Sequence, residues 1–189
     1  MFKLIAVTDA ASCPRPLLEQ LERLVHCQPQ PQAVLLRAKE LTDGEYALLA
    51  RQALLLLQNT PVKIFLHGHW QLARQLNVSC LHLPLRELLE LPPQSRSSFS
   101  VISASVHNLE EAQQAVNAGV TQLVAGHIYQ TGCKPGLPPR GLHFLRQICC
   151  SSPVPVYAIG GVGLNAGQWR DLQKCGVAGA CIMSAYMKI

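Results

Sequence analysis

The sequence has no apolar run near the roughly 20 residues that a membrane helix needs. Its longest candidate, Ala53-Leu54-Leu55-Leu56-Leu57, is flanked by Arg51 and Gln58. The opening MFKLIAVTDAA offers only about five apolar residues before Asp9, too few for a secretory leader. Both features predict a cytoplasmic chain with no membrane partner. There is also no C-x-x-C pair among the 8 cysteines, at positions 13, 27, 80, 133, 149, 150, 175 and 181. A zinc site would use such pairs, and a disulfide framework needs an oxidising compartment. The expectation is reduced cysteines, several of them in the core. The lysines and arginines are scattered, so the net charge of +5 suits a small anionic ligand rather than nucleic acid. No G-x-G-x-x-G follows the first strand-like run, which removes the best signal for a dinucleotide fold.

The composition that remains, 49% apolar and 14% charged, is that of a globular chain with a large core. A length of 189 residues suits one domain, residues 1–189. Short apolar runs recur at Lys3–Val7, Ala33–Leu36, Val62–Leu66, Leu81–Leu85, Ser100–Val106, Gln122–Tyr129, Val154–Ile159 and Ala180–Met183. Between most of them lie segments with helical spacing. Leucines at 17, 18, 21 and 24 mark one face, and Thr42 with Glu45 and Asn108 with Glu111 read as capping boxes. The stretch at 92–98 reads as irregular. About eight strands alternate with about seven helices. Apolar strands without clean alternation indicate a parallel sheet covered on both faces. Polar residues follow most strands, among them Asp9, Arg37, His67, His69, His107 and His127. In a TIM (β/α)8 barrel those ends converge on one mouth, so the predicted fold class is an α/β TIM barrel with the last helix missing or truncated. The uncovered strands would leave an apolar patch, buried in a homodimer or higher homo-oligomer.

Two stretches carry chemistry. Gly160-Gly161 closes one strand, and Met183-Ser184 the next. In barrels these last two loops often bind phosphate through backbone N–H groups. The second stretch is GHIYQTGCKPGLPPRG, residues 126–141, whose glycines and prolines preclude regular structure. It holds His127, Thr131, Cys133, Lys134 and Arg140. Histidine is the side chain suited to exchanging a proton near neutral pH.

The segments KLIAVTD, LLRAK, SVHNLEEAQQAVNAGVTQLVAGHIYQTGCKPG, PVYAIGGVGLNA and VAGACIMSA resemble the thiamine phosphate synthase superfamily. The resemblance implies one of two enzymes. The synthase couples a pyrimidine pyrophosphate to a thiazole phosphate with magnesium. The TenI-like thiazole tautomerase aromatises a carboxythiazole phosphate and needs no metal. Synthases resemble G-P-I-F-x-T; here His127 replaces the proline, and H-x-x-x-T-x-C-K followed by P-R-G looks like the tautomerase. His67-Gly68 stands where a synthase places Asn-Asp, and no acid follows the fourth strand until Glu87. Magnesium prefers carboxylate oxygens. The resemblance thus implies no cofactor and no metal, with a small phosphorylated thiazole as partner. It implies His127 as the catalytic residue, Arg37, Lys39, His67, Thr131 and Lys134 as substrate-binding, and Gly160, Gly161, Met183 and Ser184 as phosphate-binding. Cys133 would pack or position, and the loop would fold over the substrate. A close tautomerase carries an amide and an arginine where His67 and His69 stand, which keeps open a synthase and a non-catalytic phosphate-ligand-binding or regulatory protein.

Overall fold

A computed structural model of the protein describes residues 2–189. Eight parallel strands close into a barrel in sequence order. They are β1 Lys3–Val7, β2 Ala33–Leu36, β3 Lys63–His67, β4 Cys80–Pro84, β5 Val101–Val106, β6 Gln122–Gly126, β7 Val156–Ile159 and β8 Gly179–Ile182. The helices are α1 Leu17–His26, α2 Asp43–Leu57, α3 Trp70–Gln75, α4 Leu85–Glu90, α5 Pro93–Arg96, α6 Leu109–Asn117, α7 Gly141–Ser151, α8 Ala166–Gln173 and α9 Ser184–Met187. No helix among the described residues is long and apolar enough to cross a membrane.

Three helices, α2, α6 and α8, start on a side-chain cap. Thr42 and Glu45 make a reciprocal capping box on α2. Asn108 accepts from the Glu111 N–H, but the Glu111 carboxylate accepts from the backbone N–H of His107, one residue before the cap. Several boundaries differ from the sequence expectation, those of β3, β5, β7 and β8 by one or two residues. β4 runs Cys80–Pro84, one residue earlier than expected. The segment read as irregular holds the short helix α5, which opens on Pro93 where the missing N–H goes unused. β6 stops at Gly126, because residues 127–130 turn out of the sheet.

Side-chain alternation sorts the strands into two cores. One side packs under the helices in the larger cluster, with Leu4, Ala6, Leu66, Leu81 and Ile182 buried. The other fills the barrel with Ile5, Val7, Ala33, Leu35, Phe65, Cys80, Val124, Tyr157 and Cys181. The eight cysteines are all unpaired, and Cys80, Cys175 and Cys181 are buried.

Among the described residues, α9 covers the place over β1 and β8 where a bare patch was expected. Tyr186 and Met187 of α9 are fully buried in the same cluster as Leu4 and Ile182. The Gln20 amide donates to the Tyr186 carbonyl, and the Tyr186 hydroxyl donates to the Pro29 carbonyl at 3.0 Å. One helical turn with two large side chains does the covering that a longer helix was expected to do.

Candidate active site at the barrel mouth

The barrel interior is not wholly apolar. His82, two residues after Cys80, points inward from β4. Its ring nitrogens lie 2.9 Å from the hydroxyls of Ser103 and Ser105 on β5. The register explains the contact, since His82 pairs with Ser103 and Pro84 with Ser105. Burial, with a smaller push from His67, lowers the His82 pKa to about 3. His82 is therefore a neutral imidazole with both nitrogens satisfied.

One layer higher, His67 ends β3 with its ring 5.5 Å from that of His82. Burial, then the charges of Arg37 and Lys39, push its pKa down to about 4. Its backbone N–H donates to the Tyr46 hydroxyl, which itself donates to the Leu36 carbonyl. His69 takes a left-handed conformation at the start of α3 and stacks on Tyr46 at 4.2 Å. Arg37 and Asp9 sit two residues beyond Leu35 and Val7 and meet at neighbouring strand ends at 2.6 Å. Arg37 is thus already paired with a carboxylate. Lys39 stays exposed and lines a cleft of about 370 Å³ with His67, His69 and Glu87.

The opposite side of the mouth is built around His127. Beyond β6 the chain keeps contact with β7, with Ile128 donating to the Ile159 carbonyl and Tyr129 to that of Gly160. Arg140 returns to this segment. Its backbone N–H donates to the His127 carbonyl and its Nε to the Gly126 carbonyl at 3.0 Å. This leaves His127 only 5% exposed, and neither of its ring nitrogens has a hydrogen-bond partner among the described residues.

Gly160 and Gly161 make that arrangement possible. Both have positive φ. A Cβ on Gly160 would lie 2.2 Å from the His127 Cβ, and one on Gly161 would lie 2.4 Å from the Gln130 carbonyl oxygen. These glycines admit the 127–130 segment, a requirement that the phosphate reading of the sequence did not foresee. Met183 and Ser184 follow β8, at the start of α9.

The remainder of the loop is open. Thr131 and Lys134 are half-buried, while Gly132, Cys133 and residues 135–140 are exposed. The Thr131 hydroxyl accepts from the Cys133 N–H at 3.3 Å. Cys133 is exposed and unpaired. His107 has a partner in Glu111 at 2.9 Å, which gives it a local structural role.

The sequence profile of the thiamine monophosphate synthase family matches residues 4–186. The chain belongs to this family. A thiamine-phosphate synthase of Clostridium botulinum (strain Hall) is 28% identical over 156 residues, 82% of this chain and 75% of that protein. One from Pyrococcus furiosus is 37% identical over 105 residues, 56% of this chain and 47% of that protein. The solved thiamine phosphate pyrophosphorylase of Pyrococcus furiosus superposes with a TM-score of 0.81 at 26% identity, covering 98% of this chain and 87% of that one.

A thiamine monophosphate synthase with bound magnesium would need carboxylates after β3 and β4. This member has His67-Gly68 at the first place and Pro84 at the second, with Glu87 exposed one turn into α4. No three His, Cys, Asp or Glu side chains among the described residues could together hold a metal ion. The donor set does not fit magnesium.

Proposed function

We propose that this protein is a thiazole tautomerase, moving a proton within a carboxythiazole phosphate. What supports the reading best is the His127 ring, buried and unpartnered on both nitrogens. Leaving a buried polar group unsatisfied costs about 1–3 kcal/mol. Such groups are rare in native folds, and an unmet hydrogen-bonding need inside a concave mouth is what a ligand supplies. In this reading His127 takes the proton from the carbon bearing the carboxylate and returns it to the exocyclic alkene carbon. The ring gains aromaticity, so the step needs no co-reactant. Lys134 and Thr131 approach the substrate's anionic end from the open loop. The N–H groups around Gly160, Gly161, Met183 and Ser184 hold its phosphate at the ends of β7 and β8.

A second reading, thiamine-phosphate synthase, is favoured by the names of the relatives. The two separate in one assay. With chelator present, the tautomerase converts the dihydrothiazole carboxylate phosphate at an undiminished rate and takes solvent deuterium into it. Turnover that appears only with Mg²⁺ and pyrimidine pyrophosphate selects the synthase. Binding of the thiazole phosphate without turnover of either kind selects a non-catalytic protein.

A further inference from the structure

No hydrogen bond holds the His127 ring among the described residues, so its place in the mouth is set through its backbone. That backbone is gripped on two sides. On one, Ile128 and Tyr129 donate to the carbonyls of Ile159 and Gly160, both at 2.9 Å. On the other, three successive carbonyls are taken. Those of Gly126, His127 and Ile128 accept from the Arg140 Nε, the Arg140 N–H and the Gly141 N–H, at 3.0, 2.9 and 3.1 Å. We propose that Arg140 is a positioning residue for His127, its Nε–H fixing the Gly126 carbonyl and through it the angle at which the imidazole enters the mouth.

The side chain matters here apart from the backbone. Any residue except proline could supply the N–H at position 140. The bond to Gly126 belongs to the arginine side chain alone. Gly126 is the last residue of β6, where the chain turns out of the sheet towards His127. A Cβ there would lie 2.4 Å from the Ile159 carbonyl oxygen, so the position is confined to glycine. Glycine is the least restrained backbone in the chain. A pivot that cannot carry a side chain needs its restraint from outside, and the Arg140 Nε supplies it.

The other end of Arg140 is fixed as well. Its guanidinium lies 5.6 Å from the centre of the Phe144 ring, in the first turn of α7. Phe144 packs in turn against the larger core. Restraint thus runs from the core through Phe144 and Arg140 to the Gly126 carbonyl, one residue before the imidazole. Proton transfer depends on such placement, since a shift of about 1 Å in a reacting group can cost about 10²-fold in rate.

This role rests on the proton-transfer reading of His127, and the test separates the two. Three substitutions at the exposed position 140 divide the arginine's properties. Arg140→Lys keeps the charge and puts a methylene where the Nε stood. Arg140→Gln drops the charge and returns an N–H donor at the same number of bonds from Cβ. Arg140→Met keeps neither. Solvent-deuterium exchange into the dihydrothiazole carboxylate phosphate should fall about 10–10²-fold in the Lys and Met variants. Arg140→Gln should recover most of that loss, and affinity for the thiazole phosphate product should change little in all three. A second readout needs no turnover: modification of His127 by diethyl pyrocarbonate, followed by peptide mass. It should run about fivefold faster in the Lys and Met variants than in the wild type and Arg140→Gln, the change in local opening that one lost hydrogen bond brings. Wild-type exchange in Arg140→Lys, a glutamine variant as slow as the lysine one, or affinity falling in step with exchange would each overturn the proposal. A wild type that exchanges nothing defeats the tautomerase reading instead. Arg140 is then judged on the protection of His127, and equal modification rates in all four proteins would overturn its role.

Discussion

The two halves of the barrel mouth solve opposite problems. Around β2–β4 the side chains are polar, spaced and open, and the backbone beneath them is held by Tyr46 and by the Arg37–Asp9 pair. Around β6–β8 the backbone itself is the crowded element, and one histidine is sealed in with no partner. The contrast shows where each half tolerates change. The open half loses ligand contacts when altered; the crowded half loses its geometry.

Gly160→Ala should have the largest effect. Its new Cβ meets the His127 Cβ at 2.2 Å in a left-handed backbone. Overpacking and strain together should destabilise by roughly 2–6 kcal/mol in urea unfolding. Gly68→Ala on the open half meets only the tip of the flexible Glu87, at 3.2 Å. Strain alone should cost about 1–3 kcal/mol. Equal losses in the two variants would break the comparison.

His82 ties the open half to the barrel interior. His82→Ala strips both Ser103 and Ser105 of their partner and should cost about 2–4 kcal/mol. The histidine also sets a pH dependence. Its folded pKa is depressed, so an unfolded chain binds more protons below about pH 6.5. Stability should therefore be full above that value. It should fall by about 1.4 kcal/mol per pH unit on acidification, with His67 adding in the same direction until about pH 4. Urea midpoints at pH 7.5, 6 and 5 measure this, and His82→Gln should flatten the slope.

Smaller effects belong to the exposed loop. Lys134→Ala should weaken binding of the thiazole phosphate product about tenfold while changing the chemical step less. Cys133→Ser should shift stability by less than about 0.5 kcal/mol, because the residue is exposed and its side chain makes no bond.

Much of this was legible in the sequence. Eight short apolar runs ending in polar residues gave the barrel, because a strand buried on both faces has no other pattern. The capped starts gave α2 and α6. What escaped depended on pairs of strands. Alternation places His82 inward with Cys80, and Arg37 and Asp9 inward at neighbouring strand ends. Only the barrel register shows that these side chains meet each other. The histidine in LHLP weakened the strand signal, although an inward histidine opposite S-A-S was the clue. Tyr186 and Met187 were missed for a related reason, since one turn of helix has too few residues to display a period. Gly160 and Gly161 stand out in the sequence, but only the fold shows that a neighbouring loop fills the space their side chains would occupy.

The account turns on His127. The direct measurement compares wild type and His127→Gln for two quantities in the same preparation, affinity for the thiazole phosphate product and solvent-deuterium exchange into the dihydrothiazole carboxylate phosphate. The account predicts that exchange falls about 10²–10⁴-fold, the usual share of general acid–base catalysis, while affinity changes little. Exchange retained at near the wild-type rate would contradict it and remove His127 from the chemistry.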